Sequence, residues 1–208
     1  MADTDRLGER YSEHYRTRPQ GFVFGGEERA ELFRRYVGGP GRRVLDLGCR
    51  TGALTGAYLD GNDVVGLDVD RAALAAAAKL GIETVQADAE QPLPFADESF
   101  DAVAAGELVE HVRDPDALVA EVRRVLRPGG AFVGSVPNFF RLKNRLWFLA
   151  GRPLDHDPTH LHVFAPRDVR TLLREFENVT LHFAASRFLR LSPQLFANIV
   201  IFSGRKPA

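Results

Sequence analysis

Along the chain the spacing of hydrophobic and polar positions changes several times, and each change marks an element. Residues 5–37 read as two helical pieces divided by a glycine turn at 21–26, the second setting Leu32, Phe33, Tyr36 and Val37 at helical spacing. From Arg43 the pattern shortens. Val44-Leu45-Asp46-Leu47 is an apolar strand entering a turn from Gly48 to Gly52, and a helical stretch follows. Residues 63–67, 82–85, 101–105 and 131–136 are further short apolar strands. A helix over 71–80 has Asp70 to cap it and Gly81 to stop it. A second, over 115–126, has Asp114 as N-cap, Pro115 at its first position and Pro128-Gly129-Gly130 beyond its end. After a less regular stretch, 166–176 is a helix, and 179–183 and 196–203 are strands with no helix-length periodicity between them.

Strands alternating with helices predict βαβ units around a buried parallel sheet, whereas two sequential strands without a crossover helix pair antiparallel. The expected fold is therefore α/β: a Rossmann-like, doubly wound sheet of seven strands, mostly parallel, with a C-terminal antiparallel hairpin. Residues 1–208 suit a single domain. Within it, 1–40 form an N-terminal helical cover, and 138–165 form an insertion on the carboxyl side of the fifth strand, where it would roof a substrate pocket.

The charge balance, 27 Lys+Arg against 28 Asp+Glu, argues against a broad basic field for nucleic acid. The single cysteine, Cys49, excludes an internal disulfide framework or cysteine metal cluster. With no apolar leader and no spanning-length apolar run, the expectation is a cytoplasmic protein without stable membrane insertion.

In a sheet of this kind ligands bind at the carboxyl ends of the strands. The first turn, Asp46-Leu47-Gly48-Cys49-Arg50-Thr51-Gly52, is not the dinucleotide fingerprint, which would need glycines where Arg50 and Ala53 stand. Nor is it a phosphate loop, whose lysine is missing. The acids point elsewhere. Asp68, at the end of the second strand, suits both ribose hydroxyls of an adenosine, and Asp88, at the end of the third, suits the adenine amino group. Asp46 is placed to bind an ammonium directly or through the order of the turn. An adenosine ligand with positive charge and no phosphate is S-adenosylmethionine (SAM). Each acid alone is as well explained as a turn or cap residue; the signal is their recurrence at three strand ends.

Those residues resemble the first motifs of the class I SAM-dependent methyltransferases. Val44 to Gly52 looks like the family's first motif; Asp68, Asp88 and Phe100-Asp101 match its second, third and fourth. Glu110-His111-Val112 with Asp114-Pro115, and Arg124-Val125-Leu126-Arg127-Pro128-Gly129-Gly130, are similar to the small-molecule branch. Ser135-Val136-Pro137-Asn138-Phe139, Gly151-Arg152-Pro153 and His160-Leu161-His162-Val163-Phe164 look like the methionine-biosynthesis W-type proteins. Glu107, Glu110 and His111 resemble the ubiquinone O-methyltransferases, where such residues hold a divalent ion; no metal is assigned here. The family usually has Gly where Arg50 stands, so Arg50 either crowds the methionine end or meets the substrate.

The resemblance implies SAM as cofactor and S-adenosylhomocysteine as product. Tyr15, Asp46, Gly48, Arg50, Gly52, Asp68, Val69, Asp88, Ala89, Ala105 and Glu107 are the cofactor contacts it implies. Catalytic candidates are His111, able to deprotonate an acceptor at neutral pH, with His160 and His162 of the insertion. Tyr11 and Tyr15 of the first helix are placed to close over SAM. The basic set Arg141, Lys143, Arg145 and Arg152 reads either as a site for an acidic substrate or as the solvated face of a helix with Leu142, Leu146 and Leu149 inward.

Absences narrow the reaction. Ala104-Ala105-Gly106-Glu107 lacks the [ND]-P-P-[YFW] motif of amide and adenine N-methylation, and Cys49 sits in the cofactor turn, away from any covalent role. A small-molecule acceptor oxygen, before nitrogen, is the expectation, with a homodimer or protein partner left open. The rival reading is a SAM-binding partner protein of the W type with weak or no catalysis.

Overall fold

The computed structural model describes residues 2–15 (backbone alone at 2, 3, 14 and 15), 23, 25–152, 157–186 and 188–208. The Tyr15 and His14 side chains, Arg18, Pro153 and His156 lie outside what is described.

Seven strands form one sheet: β1 (Arg43–Leu47), β2 (Asp63–Asp68), β3 (Glu83–Gln86), β4 (Phe100–Gly106), β5 (Leu126–Pro137), β6 (Glu177–Ala184) and β7 (Ile199–Arg205). Their order is β3-β2-β1-β4-β5-β7-β6, with β1 to β5 parallel and β7 antiparallel to both its neighbours. The expected terminal hairpin is present, but β7 slots between β5 and β6 instead of extending the edge.

Parallel strands must bury both faces, and here they do: Ala102, Val103, Ala104 and Ala105 of β4 are fully buried. Helices α2 (Gly26–Val37) and α3 (Arg71–Ala78) cover one face, where Phe33, Val37 and Ala77 pack on Val44, Val64 and Val133. Helices α4 (Pro115–Val125) and α6 (Pro166–Leu172) cover the other, with Leu118, Val122 and Val169 packed beside Leu45, Val103 and Phe132. Helix α1 (Ala2–Tyr15) lies beside α3.

The caps form as the sequence predicts. Asp70 accepts from the backbone N–H groups of Ala72 (2.9 Å) and Ala73 (3.1 Å), and Asp114 accepts from Ala117 N–H (3.0 Å). Three expectations change. The stretch after Gly52 forms a single 3₁₀ turn (Thr55–Ala57), because the hydroxyls of Thr55 and Tyr58 turn inward onto Asp46 and glycines at 56 and 61 discourage a longer helix. Residue 196 ends a short helix, α7 (Pro193–Phe196), and does not open a strand. Helix α6 stops four residues before 176.

Candidate active site

The carboxyl ends of β1, β2, β3, β4 and β5 converge on a cavity of about 620 Å³, within the range of small-molecule sites. Glycine geometry begins it: Gly48 has φ +70°, and a Cβ there would press on Leu108 at 3.2 Å. Arg50 follows at φ +49°, a left-handed conformation suited to glycine that costs a side-chain-bearing residue about 1–2 kcal/mol. Arg50 is one of the residues lining the cavity.

Asp68 is buried, and both its oxygens are engaged: Oδ2 accepts Arg50 N–H and Oδ1 accepts Asp70 N–H, each at 2.9 Å. One carboxylate thus fixes the glycine turn and the start of α3 together. Burial pushes its pKa up, opposed by those two backbone hydrogen bonds.

Asp46, also buried, has Oδ2 2.5 Å from the Thr55 hydroxyl and 2.7 Å from the Tyr58 hydroxyl, both donating. Burial lifts its pKa from 3.8 to about 6 in spite of these bonds. A raised folded-state pKa favours the neutral form, so the stability from Asp46 is full below the unfolded value and is lost as pH rises through about 6. The loss is roughly 3 kcal/mol at neutral pH. Asp46→Asn is therefore expected to raise the thermal midpoint of the ligand-free protein at pH 8, with the gain over the parent vanishing toward pH 4. Melting curves across pH check this; a pH-independent gap would show that Asp46 does not titrate in this range.

Beyond β4, Glu107 sits at φ +57° and its Oε1 accepts the Ser135 hydroxyl at 2.9 Å. Next, the 3₁₀ turn Val109–His111 buries Glu110 completely, with no hydrogen-bond partner for either carboxylate oxygen among the described residues. Burial, then the Glu107 charge, drives the Glu110 pKa well above the ordinary carboxylate range.

His111 meets the insertion here. Its Nδ1 lies 3.1 Å from the Thr159 carbonyl oxygen, which can only accept, so Nδ1 carries a proton and, in the neutral ring, Nε2 holds the lone pair. The Thr159 hydroxyl, 3.0 Å from Nδ1, spends its own proton on Asp157 Oδ1 at 2.6 Å. His160 stacks edge-on against His111 with centroids 4.6 Å apart, and its Nε2 is 4.0 Å from Glu110 Oε1. Glu110, His111 and His160 each bring one ligand atom within 4.8 Å of the others; Glu107, the other acid of the sequence pattern, is turned to Ser135.

Tyr11, Asp46, Gly48, Arg50, Asp68, Val69, Asp88, Ala89, Glu107, His111 and His160 all line the cavity. Gly52, Ala105 and His162 do not. Gly52 backs onto Ile82, and Ala105 is enclosed between Leu47 and Gly134 in the sheet. The N–H groups of Leu161 (2.8 Å) and His162 (3.1 Å) both donate to Glu110 O. Two consecutive donors on one acceptor break the alternation that would put 160 and 162 on one side. His162 instead lies beside Phe164, its Nε2 3.3 Å from the Arg113 carbonyl oxygen.

Sequence reasoning missed Arg29, which is buried on the cavity wall. Its guanidinium lies over the Phe33 ring at 5.5 Å and so close to Gly106 that a Cβ there would fall 2.4 Å from its Nη2. The available signal was a cation in register with the apolar stripe Phe33 and Val37. Asn138, part of the Ser135–Phe139 motif, lines the cavity as well, as do Asn144 and Asn198, which had no sequence signal.

Residues 45–134 match the family described as a methyltransferase domain. The chain is 35% identical over 118 residues to a ubiquinone biosynthesis O-methyltransferase of Aliivibrio fischeri, covering 53% of this chain and 50% of that protein. It is 41% identical over 97 residues to a demethylmenaquinone methyltransferase of Renibacterium salmoninarum, covering 45% and 40%. It spans about half or less of the length of these curated relatives. The solved structure of a SAM-dependent methyltransferase from Archaeoglobus fulgidus superposes with a TM-score of 0.70 at 20% identity, covering 95% of this chain and 99% of that one.

Proposed function

We propose that the chain is a class I SAM-dependent methyltransferase that moves the SAM methyl group to an oxygen, in preference to nitrogen, of a small-molecule metabolite. The observation that carries this reading is the meeting, in one cavity, of buried Asp68 with an imidazole whose lone-pair nitrogen is set by its neighbours. The residues fit the cofactor: the Asp68 carboxylate suits ribose hydroxyls, Asp88 the adenine edge, and the Arg29 guanidinium beside Gly106 a terminal carboxylate.

When bound, SAM supplies an activated methyl carbon on a sulfonium. The protein's part is to align the acceptor and remove its proton. His111 takes that proton at Nε2, and Thr159 and Asp157 hold the tautomer that leaves Nε2 able to do so. Burial and the Glu107 charge both push Glu110, beside these imidazoles, toward its neutral form.

Calorimetric titration with SAM and with S-adenosylhomocysteine tests the reading first. Micromolar binding of both is expected, followed by turnover in an acceptor panel rich in phenols and enols. Failure of both to bind would overturn it in favour of the partner-protein reading, with Arg50 closing the turn.

A further inference from the structure

Helix α5 (Leu142–Leu149), in the insertion after β5, is built inside out. Its buried residue is Asn144, while Leu146, Phe148 and Leu149 face solvent, Phe148 at 73% and Leu149 at 81% exposure. The sequence reading that put Leu146 and Leu149 inward is thus reversed. The cause is local: Asn144 Nδ2 donates to Phe139 O at 2.9 Å and Oδ1 faces Arg141, so the polar side chain ties the helix down and rotates its leucines outward.

A second segment lies alongside. Asn138 Nδ2 donates to the carbonyls of Gln194 (2.9 Å) and Ala197 (3.0 Å), and Asn138 N–H to Asn198 O (2.8 Å). These bonds tie the chain just ahead of α5 to α7, which α5 contacts; in the turn before α7, Phe188 and Leu191 are exposed, Leu191 at 74%. Both segments lie at the cavity rim, since α5 contacts α7 and Asn144 and Asn198 line the cavity.

The sequence of the two segments is one-sided in charge. Residues 138–152 and 186–198 hold six arginines and lysines and no aspartate or glutamate, in a chain whose total charge is −1. Lys143 and Arg145 are exposed, and Lys143 Nζ rides over the Trp147 ring at 4.4 Å. Exposed phenylalanine and leucine among cations, with an indole between them, is the composition of an interfacial membrane helix. We propose that α5 and the 188–196 segment together dock on an anionic lipid bilayer, with the cavity mouth facing the membrane. No helix among the described residues is long and apolar enough to cross a membrane, so the attachment is peripheral.

Chemistry selects the bilayer over the other occupants. An acidic protein would satisfy the cations but does not call for several exposed apolar side chains spread over two segments. A second copy of the chain would set like charges against each other.

The test is co-sedimentation of the whole protein with vesicles of phosphatidylcholine alone and of phosphatidylcholine with about one third phosphatidylglycerol. Binding to the anionic vesicles, weakening with salt, is expected, with little to the neutral ones. Lys143→Glu with Arg145→Glu is expected to cut binding more than tenfold, at about fivefold for each charge removed. Phe148→Ser with Leu149→Ser should weaken it by a similar factor and leave SAM affinity unchanged, since neither residue lines the cavity. Unchanged vesicle binding in both double variants, or none at low salt, overturns the proposal. So does concentration-dependent dimerisation that the Phe148/Leu149 variant abolishes. Because binding is read without turnover, this result stands apart from the methyl-transfer reading.

Discussion

His111→Gln is expected to lower turnover by about 10²–10⁴-fold, the contribution of a positioned acid–base group, while SAM affinity stays within about twofold of the parent. Glutamine preserves volume and a donor toward Thr159 but offers no basic nitrogen to the acceptor. The split between kcat and cofactor Kd is the informative quantity: a residue that merely packs would, on replacement, disturb both or neither. On the proposed mechanism, treatment with a chelator leaves the parent's rate unchanged, because the His111 nitrogen accepts the proton without help from a metal ion. A rate that collapses on chelation and returns with a divalent ion would assign Glu110, His111 and His160 to metal binding instead. Turnover within tenfold of the parent in His111→Gln would remove His111 from the mechanism.

Asp68→Ala is expected to weaken SAM by about 1.5–3 kcal/mol, or roughly 10- to 150-fold, through loss of a charge-assisted hydrogen bond to the ribose. The structure adds a second cost, because the same carboxylate accepts from Arg50 and Asp70 N–H, and alanine leaves both donors without it. Adenosine alone should lose affinity by a similar factor, since the contact is to the sugar. Titration of SAM and adenosine into the folded variant checks both statements. Full SAM affinity would place the cofactor elsewhere in the cavity.

Much of this protein is legible from local pattern. Apolar runs of four to seven residues, caps such as Asp70 and Asp114, and acids at the ends of β2 and β3 are properties of neighbouring residues, and strand–helix alternation then limits the topology to a few choices. Hence the sheet, its two helical layers and the gathering of acids at the carboxyl ends of its strands follow from local pattern. The stretch after Gly52 escaped because hydroxyl bonds from Thr55 and Tyr58 to buried Asp46 outweigh helix propensity, and those bonds exist only once β1 is in place.

Tertiary structure decided whatever depends on segments distant in the chain. Apolar periodicity states that a residue prefers burial, but not against what. Thus the insertion of β7 between β5 and β6, the seat of Arg29 against Gly106, and the meeting of His111 with Thr159 and His160 have no local signature. Histidines at 160 and 162 look equivalent in the sequence; a single carbonyl, Glu110 O, accepting from two successive N–H groups sends one to the cavity and the other away. The outward leucines of α5 follow the same rule, because a buried asparagine with two polar partners fixed the rotation of a helix that hydrophobicity alone would have turned the other way.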